Sequence, residues 1–121
     1  MKNIEILKQN DFHDSLLEKI SYDEKNQRVT LEIDFCNWRQ SWYHEKEPET
    51  KIIVLVFELV SDIVIPEFCL DSDGIIEFNF LQNEESTTGV EIVVFNEAEN
   101  AEHSIVIYAN EVNVIWDTRD V

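Results

Sequence analysis

Three histidines, two cysteines and 26 carboxylates are the groups in this 121-residue chain whose types and spacing could do chemistry. No two of His13, His44 and His103 share an H-x-H or H-E-x-x-H spacing, so no zinc-type ligand set is expected. His13 is followed by Asp14 and Ser15. A neighbouring carboxylate can orient an imidazole as a base or a ligand. The same three residues also suit a turn that leads the chain into a strand, with Asp14 or Ser15 capping backbone N–H groups. His13, Asp14 and His44 together are the one acid–base set an enzymatic or small-ligand role would use. Cys36 and Cys69 have no C-x-x-C spacing and read as free thiols in or near the core. A Cys36–His44 nucleophile pair is disfavoured, because the acids around it raise the thiol pKa. Asp71-x-Asp73-Gly74 with Glu77 opens like a calcium loop. Its spacing to the glycine is too short and its flanks read as strand, so a hairpin turn is expected there. Two glycines cannot supply a nucleophile elbow, a Walker A loop or a dinucleotide fingerprint. The reading is therefore non-enzymatic, with no catalytic residue, no metal and no cofactor.

With so many carboxylates, any acid pair could be drawn and none is informative. Their sum is informative. Nine Lys and Arg against 26 Asp and Glu leave a formal charge of −17. Nucleic acid and anionic membrane carry dense negative charge and are repelled by such a surface. A basic protein is attracted and meets it faster. The expected partner is a basic protein, with no nucleic acid and no membrane; oligomeric state is left open.

The elements that must position these groups read as strands. Val29, Leu31, Ile33 and Phe35 alternate with Arg28, Thr30, Glu32 and Asp34, which is a half-buried strand with one wet face. Leu16, Ile20 and Tyr22 form a similar parity upstream, and the polar stretch Asp23 to Gln27 joins the two as a hairpin. Ser15-Leu16-Leu17-Glu18 fits a helix-opening capping box, so a short helical turn is expected near Asp14 to Lys19. Ile52 to Phe57 has no polar face and reads as a strand covered on both sides or central in its sheet. Ile63 to Ile65, stopped by Pro66, reads as a short edge strand or an irregular piece. Ile76, Phe78 and Phe80, then Val90 to Phe95, then Ser104 to Ala109 and Glu111 to Asp117 complete the series. Asn96 to His103 reads as an acidic loop and Asn110-Glu111 as a tight turn. The fold class is mainly β: an antiparallel sheet, sandwich or partly open barrel of about seven strands. One domain over residues 1–121 is expected, since Leu, Ile, Val and Phe number 41 and suffice for a core.

Asn37 to Thr50 does not fit the strand pattern. It holds Trp38, Trp42 and Tyr43, which either fold back as a lid on the core or face a partner. The opening residues lack the apolar core of a signal peptide, and no apolar run is long enough to span a bilayer, so a cytoplasmic location is expected.

Asp11-Phe12-His13-Asp14-Ser15-Leu16-Leu17, with Ile20-Ser21-Tyr22-Asp23 and the run Val29 to Phe35, resembles the opening of small bacterial proteins in which an H-D-S turn leads into a first hairpin. Several of these are immunity proteins of polymorphic toxin systems. The resemblance covers about the first 35 residues. It implies a non-catalytic cytoplasmic protein that binds and neutralises a toxin domain. The candidate contact residues are Glu32, Asp34, Glu77 and Glu91 with Trp38, Trp42 and Tyr43. The alternatives are an enzymatic or ligand-binding β-domain using His13, Asp14 and His44, or a structural subunit of a complex.

Overall fold

The computed structural model describes residues 1–36, 39–40, 50–67, 73–82 and 88–116. It is mainly β. A short helix, α1 (Ile4–Lys8), precedes six strands: β1 (Leu16–Asp23), β2 (Arg28–Cys36), β3 (Thr50–Val64), β4 (Asp73–Gln82), β5 (Thr88–Asn96) and β6 (Ala101–Trp116). All neighbours are antiparallel, in the order β1-β2-β3-β6-β5-β4, and the sheet closes into a barrel.

The interior is built by alternation. Val29, Leu31, Ile33 and Phe35 of β2 are fully buried, and so are Leu55 and Phe57 of β3 and Val90, Ile92 and Val94 of β5. Ile105, Ile107 and Val112 complete the wall from β6, while Leu7 and Phe12 plug it from the N-terminal segment. Gly89 is required by close approach: a Cβ there would lie 2.7 Å from the ring of Tyr108, which covers it from β6.

Closure rests on a short seam. Leu16 and Leu17 pair with Gly74 and Asp73. Next to them, the Ile75 N–H donates to the Ser15 carbonyl at 2.8 Å, and the Asp14 N–H donates to the Ile75 carbonyl at 3.0 Å. The Asp14 backbone is left-handed, with φ 69°. Ser15 is buried, and its Oγ accepts the Cys36 N–H at 2.9 Å.

Several expected details are corrected. The helical turn lies at Ile4–Lys8 and not at Asp14 to Lys19, because Ser15 spends its hydroxyl across the sheet on Cys36. Leu17, not Leu16, is the buried residue of β1. The register shifts by one residue between Leu17 and Lys19, and this bulge at Glu18 inverts the parity so that Leu17 and Ile20 both face inward. Ile63-Val64 continues β3 beyond a second bulge, between Val60 and Asp62. Asn110-Glu111 is no turn; the described residues form six strands, close to the seven or so expected. At that point β6 is paired on both sides: Glu111 faces Glu58 of β3, while the Lys2 N–H donates to Asn110 and the Val112 N–H donates to Lys2. The acidic stretch after Asn96 shrinks to a turn, held by the Glu99 N–H donating to Asn96 Oδ1 at 2.9 Å, and His103 is already strand. Asp73 and Gly74 lie in β4 and form no hairpin, since β3 and β4 are not neighbours.

The β1–β2 turn is held by Asp23. Its carboxylate accepts the Asn26 N–H at 3.2 Å and the Asn26 side chain at 2.7 Å. These bonds hold the Asp23 carboxyl below the usual 3.8.

Candidate functional site

Glu32 and Asp34 point outward from β2, with Val54 and Ile52 of β3 directly opposite. Ile52, Val54 and Val56 fall on the outer parity of β3 and are only half-buried. Val54 is in turn opposite Ile115 of β6, which is 56% exposed. The outer wall of the barrel therefore carries an apolar stripe with an acidic flank. The central position expected for Ile52 to Phe57 is the observed one, between β2 and β6, and on the outer face Ile52, Val54 and Val56 are only half-buried. Sequence reasoning missed this stripe. Its only signal was the absence of a polar face in Ile52 to Phe57, which has the same appearance whether the outer side is covered or open.

Cations around the stripe are already engaged. Lys19 lies 3.7 Å from Glu32, Arg28 bonds Glu58 at 2.8 Å, and Lys2 reaches Glu111 at 3.9 Å. All three pairs are partly solvated, so they hold little energy and leave the surplus of acid in place.

Glu77 and Glu91 sit elsewhere, on the outer faces of β4 and β5. Asn79 joins them, donating to Glu77 Oε2 at 3.1 Å and to Glu91 Oε1 at 3.0 Å. Strand β1 separates this pair from Glu32 and Asp34, so the four acids form two patches and not one. Trp38, Trp42, Tyr43, His44 and Cys69 lie outside the described residues.

A second site lies where the N-terminal segment diverges from β4. There a cleft of about 340 Å³ opens between Leu7, Asn10 to His13 and the β4 residues Ile76 to Phe80. Phe12 stacks on Phe78 with ring centroids 4.5 Å apart, Phe80 follows at 5.7 Å, and the Lys8 ammonium lies 5.5 Å above Phe80. The segment is held from behind by the buried Gln40. Its amide donates to the Asp11 and Cys36 carbonyls, at 2.6 and 2.9 Å, and accepts the Asp11 N–H at 2.9 Å.

Of the set His13, Asp14 and His44, only His13 and Asp14 lie within the described residues. His13 Nδ1 stands 3.2 Å from Asp14 Oδ1, with both side chains about half exposed. The other Asp14 oxygen bonds Arg39 Nη1 at 3.1 Å, and Arg39 also holds Asp11. His103 is paired with Glu99, on the turn between β5 and β6. Cys36 is buried, and its Sγ lies 3.7 Å from the Asp14 carbonyl oxygen. Among the described residues no group of three or more His, Cys, Asp or Glu is placed to hold a metal ion, and no helix is long and apolar enough to cross a membrane. No protein-family model, curated protein or solved structure matches this chain.

Proposed function

We propose that this chain is a non-catalytic protein-binding module for a basic protein, working in the cytoplasm as an immunity protein that neutralises a toxin domain. The observation that supports this reading most is the outer face of β3. Ile52, Val54, Val56 and Ile115 form an apolar stripe, and Glu32 and Asp34 line its flank. An apolar centre with a charged rim is the anatomy of a protein interface. The acid suits a surface rich in Lys and Arg, such as the one with which a nuclease grips phosphate. The likeness of Asp11 to Leu17 and the hairpin after it to immunity proteins points in the same direction.

The test is to purify the product of the adjacent gene and titrate it against this chain by calorimetry. Tight association that weakens with added salt is the expected result. Ile115→Ala should weaken it through lost contact area, and the pair Glu32→Lys with Asp34→Lys through reversed charge. A neighbouring product that is no toxin, with no complex formed, overturns the reading.

A further inference from the structure

A cleft touched by four consecutive residues of one strand cannot lie on a face of that strand, because successive side chains point to opposite faces. The cleft meets Ile76 to Phe80, and beyond the bulge at Ile76 the four residues Glu77 to Phe80 alternate regularly, so it runs along the edge of β4. The backbone there faces it. Ile75 points inward and aims its N–H and C=O away from β5, at Asp14 and Ser15. For L-residues of one strand, the direction of the side chain and of the residue's own N–H and C=O go together. Phe78 lies opposite the inward Ile92, and Phe80 opposite the inward Val90. Both therefore aim their backbone groups into the cleft. Pairing of β4 with β1 ends at Gly74, and the only further bonds on that side are those of Ile75, so the edge beyond meets no strand among the described residues.

We propose that this edge of β4 accepts an extended segment of a basic partner as an added strand, antiparallel to β4, with basic and apolar residues alternating along it. The backbone groups of Phe78 and Phe80 demand an extended chain, since only a strand offers donors and acceptors at that repeat. Guest side chains on the inner face meet Phe12, Phe78 and Phe80, where the Lys8 ammonium already stands and an apolar group fits. Guest side chains on the outer face lie beside Glu77 and Asn79, with Glu91 behind, where a cation fits. Charge disfavours a second copy of this chain as the occupant, since two molecules at −17 repel. The site shares the basic character of the partner with the reading above but uses none of the residues of the β3 stripe.

The experiment uses the isotope-labelled full chain and a synthetic peptide of alternating Lys and Val. In the free protein the Phe78 and Phe80 amides should exchange with solvent roughly a hundredfold faster than the β5-bonded amide of Asn79. Saturating peptide should slow both to the rate of Asn79 and shift their resonances, while Val54 and Ile115 stay unmoved. Glu77→Lys should weaken the peptide roughly fivefold, as a reversed rim charge does, without altering the backbone. A peptide N-methylated at alternate residues should not protect either amide. Phe78 and Phe80 amides protected in the free protein overturn the proposal, as does equal binding of the N-methylated peptide. A toxin that binds the β3 stripe and leaves these amides exchanging overturns strand addition by that partner and leaves the interface reading standing. Peptide capture at β4 with no complex of the neighbouring product does the reverse.

Discussion

Ser15 is a small residue with a large structural duty. Its hydroxyl accepts a buried N–H from Cys36 on β2, and its carbonyl accepts from Ile75 on β4, so one residue joins three strands at the seam. Ser15→Ala removes the side-chain acceptor from a buried donor, and unfolding in urea should show a loss of about 1–3 kcal/mol. Asp23 acts by charge. Its folded pKa is depressed by the Asn26 bonds, so its contribution is complete above the ordinary value of 3.8 and is lost as pH falls through the lower folded value. An NMR titration should place the Asp23 midpoint below 3.8, and Asn26→Ala should return it toward that value. None of these bonds could be read from the chain alone. Ser15 fits a helix cap equally well, and its actual partner is 21 residues away.

At the scale of the element, β3 shows how a strand follows its neighbours. Leu55 and Leu59 are four residues apart and would share a face in a regular strand. Leu55 is fully buried, whereas Leu59 is 55% exposed with a left-handed φ of 52°. Val60 takes the inward position, and its N–H donates to the Gln27 carbonyl at the β1–β2 turn. Leu55→Ala should cost about 2–5 kcal/mol by opening a cavity. Leu59→Gly relieves about 1–2 kcal/mol of left-handed strain. Against that stands roughly 0.5–1 kcal/mol of added chain entropy. Denaturant melts should therefore place the Leu59→Gly variant at or above the parent in stability. The alternation that identified β2 as a strand was sufficient because β2 has no bulge. In β1, β3 and β4 an extra residue breaks the parity, and hydropathy carries no mark of it.

For the whole molecule, the surplus of acid acts in two opposite ways. Self-repulsion at −17 works against the compact barrel, while the same field favours the approach of any basic protein. Raising salt from about 0.01 M to 0.15 M shortens the screening length from roughly 30 to 8 Å. The melting temperature of the isolated chain should rise over that interval, measured by scanning calorimetry. Affinity for a basic partner should fall over the same interval. A chain whose stability and binding move together with salt would contradict this account of its charge. The closure of the barrel also divides the acids, since β1 stands between Glu32–Asp34 and Glu77–Glu91. Two surfaces of different character result, a stripe on a wall and an edge beside a cleft.

What the sequence by itself determined was strand content, an antiparallel arrangement, a large apolar interior and a strongly negative exterior. These are properties of composition and of neighbours two residues apart, which a linear chain displays. Tertiary structure alone decided that β1 meets β4, that β6 runs through Asn110 without turning, and that the outer residues of the apolar run of β3 are only half-buried. Each of these depends on which distant backbone satisfies a given N–H or C=O: Lys2 for Asn110, Ser15 for Ile75, and no strand among the described residues for Phe78 and Phe80. Hydrogen-bond partners far apart in the chain leave no periodic trace in it, so the seam and the free edge became visible only once the strands were placed side by side.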